Sequence, residues 1–561
     1  MEIQMANTLF CLRQLESLKF EFGPPAAGQK KACLQLLKRA ELKNANQILR
    51  LHEVLCFMQA WPDDEEILTS VEAMLAHFER RRDLRQHADE MVNSGIAGTF
   101  IHFSFYAGMA KWLAAGWPTQ IQIDWEVFEK TASLERYLSQ LASYAETAGL
   151  ESLDLELPAW INRLKGPGET DAVFIIQRLA ALIRNEFLHE QFYDELDIPL
   201  ILAPGPGVPN RTRAKYDPSP VVCQTMPLMR ARPVVEQEIY RPMARPQLVS
   251  RAEGVRLVDL ARAAMVTRQR DLDAFAYADV HDVSLLDDDG LQFVLYGVVP
   301  QRRFLLECLY GFLVLKNGVP ISYGAITSLF GSAEVAYTIF DTFRGGESAR
   351  IFVRVLAMVH QVFGCDTIMI DPYQLGAENQ DALKSGAWWF YQKLGFRPRD
   401  KKLLQLMKRE LSRMKRRPRH RSSLAVLKQL ASENVYLNLN QDRDDVLGVL
   451  ELDQVGLKIT DLLAGRFGAD REQGEKVLSA EAAERLGGAD FQDWSAGEKL
   501  AWRRWAPLVA LLDDVLRWPV NDRKAVVQLI RAKGARQELD YLHRFDGLPR
   551  LRQAVWKIAT N

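Results

Sequence analysis

The segment Phe340-Asp341-Thr342-Phe343-Arg344-Gly345-Gly346-Glu347-Ser348-Ala349 joins a strand-like run, Ala333 to Phe340, to an apolar helical run from about Ser348 to Val362. Amides left free at a helix start, and exposed by glycines, suit a phosphate. Here Gly345, Gly346 and Ser348 supply the amides, and Arg344 or Arg350 supplies charge. Further along lies Ser385-Gly386-Ala387-Trp388-Trp389-Phe390-Tyr391-Gln392-Lys393-Leu394-Gly395-Phe396, where a tyrosine sits among aromatics just before a Leu-Gly-Phe turn. These two segments are the ones that suggest a chemistry. Each has a plain structural reading beside the chemical one: a Gly-Gly turn also opens helices that bind nothing, and Tyr391 is equally a core aromatic beside Trp388 and Trp389.

Other reactive residue types are scattered. The six cysteines, Cys11, Cys33, Cys56, Cys223, Cys308 and Cys365, form no CxxC pair and read as free thiols of a reducing compartment. The nine histidines show no HxH or HExxH spacing, so no structural zinc is expected. His360 lies on an apolar helix and reads as packed. Asp371-Pro372-Tyr373-Gln374 ends a buried-type strand, a place that suits either a ligand or a simple turn.

The chain has 561 residues and a net charge of -1, so no global field draws nucleic acid or an anionic membrane, and any such contact must be local. Its 48% hydrophobic and 25% charged residues fit a globular protein of three or four domains. Residues 408–421, ending in Lys415-Arg416-Arg417-Pro418-Arg419-His420-Arg421, are locally basic enough to meet RNA or DNA phosphates. They lack the interleaved aromatics of a single-strand binder. The plain reading is a solvated helix pairing with Asp442 to Asp445. Met1 to Leu9 has no secretory pattern, and no apolar run reaches bilayer length. The expectation is a cytoplasmic protein without membrane contact.

Four regions carry these features. Residues 1–198 read as a helical domain, with apolar spacing over Gln29 to Met58, Ser133 to Ala148 and Asp171 to Leu188. Ser94-Gly95-Ile96-Ala97-Gly98 breaks between helices and reads as a packing contact. Residues 199–250 hold ten prolines and read as a connector, either a free linker or a strap along a neighbouring surface. Residues 251–400 read as α/β. A helix over Val255 to Phe275 precedes strands at Leu291 to Val298, Phe304 to Leu315, Val319 to Ser328, Glu334 to Phe340 and Thr367 to Ile370, and Asn317-Gly318 makes a tight hairpin. Residues 401–561 read as a helical domain with a basic start. Within it, Ser495-Ala496-Gly497-Glu498 has capping-box spacing ahead of core Trp502 and Trp505. The fold class is thus multidomain α/β: a central mixed, mostly antiparallel sheet flanked by all-α regions.

The order of elements over 290–400 resembles the GNAT superfamily of N-acyltransferases. The hairpin Lys316 to Gly324, the turn at Arg344 to Ala349 and the closing segment Tyr391 to Phe396 carry the resemblance, which spans about a fifth of the chain. The turn departs from the family's Q/R-x-x-G-x-G/A pattern, with Glu347 at the fourth position when the motif starts at Arg344. The resemblance implies transfer of an acyl group from acetyl-CoA or another acyl-CoA to an amine, without a metal. It implies coenzyme contacts from Arg344, Gly345, Gly346, Ser348, Ala349 and Asn379. It also implies Tyr391 as acid for the leaving thiolate, and a carboxylate base among Glu334, Asp341 and Glu307. Two further readings stay open: a catalytically degenerate scaffold of the same fold, and a nucleic-acid-associated protein using 408–421.

Overall fold

The structure, a computed structural model, describes every residue except 1, 151, 154, 217–219, 230 and 561, and side chains from residue 8 onward. Its centre is a nine-stranded sheet in the order β11-β12-β10-β9-β8-β7-β6-β5-β4. The strands are β4 (Gln247–Leu248), β5 (Ala278–Asp288), β6 (Leu291–Val298), β7 (Cys308–Lys316), β8 (Val319–Leu329), β9 (Ser332–Ile339), β10 (Thr367–Ile370), β11 (Arg397–Pro398) and β12 (Val435–Asn438). β5 to β9 form an antiparallel meander through tight hairpins at Asp289-Gly290, Asn317-Gly318 and Phe330-Gly331. Both residues of each pair have positive φ, which matches the twist of the flanking strands. β9 then passes through the crossover helix Ser348–Phe363 to β10, its parallel neighbour. That helix buries an almost continuous apolar surface, Ile351 to Val359, and stops at Gly364, whose φ of 71° suits a glycine cap.

Two expectations about the flanks are corrected. The first region is not all-α: β1 (Ile101–Phe103), β2 (Ile121–Ile123) and β3 (Leu200–Leu202) form a small sheet in the order β1-β3-β2. Three-residue strands are too short to show a period of two, and β3 lies beyond residue 198. The last region is not all-α either. β12 crosses from it into the central sheet, between β10 and β11, so the sheet extends past residue 400. The helices of the first region are also shorter than their periodicity suggests. The run Gln29 to Met58 is two helices, Pro24–Leu37 and Ala45–Ala60, parted before the N-cap Asn44.

The proline-rich segment is a strap rather than a free linker. Its backbone bonds the β7–β8 hairpin tip, with Tyr216 N–H donating to Gly318 O at 2.9 Å and Val222 N–H to Asn317 Oδ1 at 2.8 Å. A short helix within it, Val235–Tyr240, packs on the crossover helix. Gly95 meets the Thr267 carbonyl so closely that a Cβ there would lie 2.2 Å from it, which agrees with the packing reading of that break. In the last region the capping box at Ser495 forms, and Trp502 and Trp505 are buried. Trp505 Nε1 donates to Leu305 O at 3.0 Å and Tyr541 Oη to Leu306 O at 2.6 Å, seating those helices on the segment before β7. The six cysteines are free.

Candidate active site

β9 and β10 pair over three residues, Ser332 to Glu334 against Thr367 to Met369. Beyond Glu334, β9 continues to Ile339 with partners on the β8 side alone. β10 itself ends one residue on, at Ile370, and the notch this leaves beside the rest of β9 forms a fork. Glu334 stands at the crotch, and the turn Arg344 to Ala349 lies past the far end of the same strand.

The Glu334 carboxyl lies near that of Asp371, the residue just after β10, closely enough for the two to interact. Two carboxyl groups in contact hold a proton between them. Burial first, and then the Asp371 charge, push the Glu334 carboxyl up to about 7, with Glu307 adding to the rise. Asp371 is held in place because its Oδ1 accepts the Gln374 N–H at 3.0 Å, capping the short helix Pro372–Leu375. Gln374 in turn reaches into the fork, where its Oε1 accepts the Tyr337 N–H at 3.4 Å. Tyr391 is buried against Phe352 and Phe396, with ring centroids 5.5 and 5.8 Å away. Burial, then the Asp371 charge, raise its hydroxyl above the ordinary tyrosine range. The fork thus gathers Glu334, Asp371 and Tyr391, with Glu307 close enough to act on Glu334 electrostatically.

Asp341 and Asn379 do not join them. Asp341 lies past β9 in a 3-10 turn, its side chain 83% exposed and paired with Arg344 at 2.7 Å. Asn379 caps the helix Gln380–Ser385, its Oδ1 accepting the Ala382 N–H at 3.0 Å, so its acceptor is committed locally. His360 accepts its structural role as well, with Nδ1 2.9 Å from the Cys365 carbonyl oxygen.

At the turn, Gly345 takes a φ of 83° and is exposed. Among the described residues, the N–H groups of Gly345, Ser348 and Ala349 find no backbone acceptor. The Glu347 carboxylate faces inward: it accepts from Trp61 Nε1 at 3.4 Å and from Arg350 at 3.0 Å. The helix Ala45–Ala60 and Trp61 cap the turn from outside. Phe57 and Trp61 stack at 4.8 Å over Phe343, and the Phe57 ring and Leu228 each come within 3.8 Å of where a Gly346 Cβ would be. Thr342 donates to Glu53, and Asn317 Nδ2 to Ala60 O at 2.9 Å, tying the cap helix to turn and hairpin alike.

The sequence reading missed two parts of this arrangement. The aromatic cap comes from residues nearly three hundred positions away in the chain (Trp61 to Glu347), and no local pattern announces it. A cavity of about 570 Å³ also lies elsewhere, between Tyr106, Phe187, Asp271, Tyr277, Arg302 and Leu463, where three regions of the chain meet. Among the described residues no cluster of His, Cys, Asp and Glu could hold a metal ion, and no helix is long and apolar enough to cross a membrane. No family model, curated protein or solved structure matches the chain.

Proposed function

We propose that the central sheet is an acyltransferase of the N-acyl type, taking an acyl-coenzyme A thioester and an amine acceptor. The observation that carries this reading is the fork: β9 runs on past the end of β10, its β10-side edge open, to a helix start whose amides have no backbone acceptor. A thioester arm laid along the open side of β9 takes the place of Gln374 at the Tyr337 N–H. Its diphosphate then meets Gly345, Ser348 and Ala349. Glu334, titrating near neutrality, receives the proton of the attacking amine as the C–N bond forms. The C–S bond breaks, and the departing thiolate takes the proton of Tyr391. Leu228 and the Phe57 ring move aside to admit the ligand.

The test is thermal unfolding of the full chain with and without about 1 mM acetyl-coenzyme A, since a ligand of the native state raises its apparent stability. An upward shift that disappears in Gly346→Val is the expected result. An unmoved transition removes the reading.

A second reading, a degenerate scaffold of the same fold, is favoured by the aromatic cap on Gly346 and by the inward Glu347. It predicts that Phe57→Ala, which thins the cap, still gives no shift with the coenzyme.

A further inference from the structure

The basic helix Lys401–Arg416 and the turn after it stand apart from every site described above. Residues 401–421 hold ten lysines and arginines and a single acid, Glu410, in a chain whose net charge is -1. The helix is amphipathic in a particular way. Leu403, Leu406 and Met407 face the protein, while Lys401, Lys402, Lys408, Arg409, Lys415 and Arg416 are exposed. Glu410 is buried and works as an anchor: it accepts from Arg413 at 2.7 Å and from Ser422 at 2.7 Å, and lies 3.0 Å from His420 Nε2. Those bonds fold residues 417–421 back along the helix, so their arginines add to the same surface. Among the described residues, Arg413 is the one lysine or arginine of this segment that pairs with a carboxylate. The acidic stretch expected to neutralise it is engaged elsewhere, correcting that expectation. Asp444 pairs with Arg399, Asp445 with Arg443 and Arg552, and Asp442 bonds Asn438.

Such a surface is costly in isolation. Arg409 and Arg413 are like charges four apart on a helix, a repulsive spacing. Cations in the last turn favour the helix dipole, but Lys401 and Lys402 occupy the first turn and oppose it. The dipole therefore does not account for the pattern, whereas a polyanion lying along the whole helix does.

We propose that this surface binds the phosphate backbone of duplex DNA. A 16-residue helix is about 24 Å long. Over that length a B-form duplex presents a phosphate charge about every 1.7 Å, more than enough to face each free cation of the helix. Arginine predominates, as suits phosphate contact. The chemistry also separates the other polyanions. A membrane-surface helix needs an apolar exposed face, yet between residues 401 and 450 Leu424 is the one large apolar side chain exposed among the described residues. Single strands are held by stacking on aromatic side chains, and none lies in 401–421. The deep, narrow major groove of A-form RNA excludes a helix that B-DNA admits.

Fluorescence anisotropy of the full chain with a labelled duplex of random sequence tests this. Binding is expected to fall by roughly 10³-fold between about 50 and 200 mM salt, as for six or more phosphate contacts. The variant R416Q/R417Q/R419Q is expected to flatten the log–log salt slope by about 3 with an unchanged melting curve, while R503Q/R517Q leaves binding as it was. Absence of binding at low salt overturns the proposal. So does equal loss in the control variant, tighter binding of single strands or duplex RNA, or capture by anionic vesicles in place of DNA.

Discussion

The crossover helix and the basic helix are each sixteen residues long and each carry arginines, and they use them in opposite ways. On the crossover helix every guanidinium is committed. Arg354 is fully buried, bonding Asp288 through Nε at 2.6 Å and Nη2 at 2.7 Å and donating also to the carbonyls of Glu238 and Arg241. Arg350 bridges Glu347 and Asp289. These charges fasten the strap and the β5–β6 hairpin to the helix. On the basic helix the anchor is an acid and the cations are left over. A buried charge with saturated partners serves architecture; an exposed one with none is available to a second molecule.

The sharpest way to break this contrast is Arg354→Met. Asp288, itself buried, loses its bidentate counter-ion and keeps only Arg241 at 3.5 Å, and unfolding in urea is expected to show a loss of about 3 kcal/mol. The double variant R354M/D288L should recover a large part of it. A loss under about 1 kcal/mol would mean that the pair is not fastening anything.

Glu334→Gln probes the fork. The folded state holds the Glu334 proton more tightly than the unfolded chain does, up to about 7 against an ordinary value of 4.5. Stability of the parent is therefore greatest below the unfolded value, declines as pH rises from about 4.5 to about 7, and is flat above. The glutamine variant lacks that decline. At pH 8 it should gain stability relative to its parent, on the order of 1–2 kcal/mol after allowing for solvent screening. Denaturant midpoints at pH 5 and pH 8 give the comparison, and parallel pH profiles would show that the carboxyl pair does not share a proton.

The smallest expected effect on the fold is that of R416Q/R417Q/R419Q. Uncommitted surface cations are worth within about 0.5 kcal/mol, so the urea midpoint should stay put or rise slightly as repulsion is relieved. A marked drop would place these arginines in the architecture and erase the distinction between the two helices.

Much of the central sheet is legible in the chain, because local chemistry decides it. Asn317-Gly318 demands the turn it makes, and Asp289-Gly290 carries the same signal ahead of β6. Thr367 to Ile370 reads as a buried strand and is one. β12 is not legible: Val435-Tyr436-Leu437-Asn438 lacks alternation, lies among helices, and becomes a strand only because β10 and β11 offer it two edges. At the site, Glu334 and Tyr391 can be singled out from sequence, but their meeting point is Asp371, whose part depends on a register across β9 and β10. Glu347 is equally opaque. Its sign suggests repulsion at an anion cradle, and only the distant Trp61 shows that the carboxylate turns away.

The placement of β12 also sets an order of assembly. When synthesis has reached β10 and β11, the outer rim of β10 has no neighbour, because its hydrogen-bonding mate is still unmade. At typical elongation rates of about 5–20 residues per second, that rim stays bare for several seconds, an opening for aggregation or for a chaperone. Nascent chains halted before residue 435 should therefore be poorly soluble, and those halted after 450 much less so.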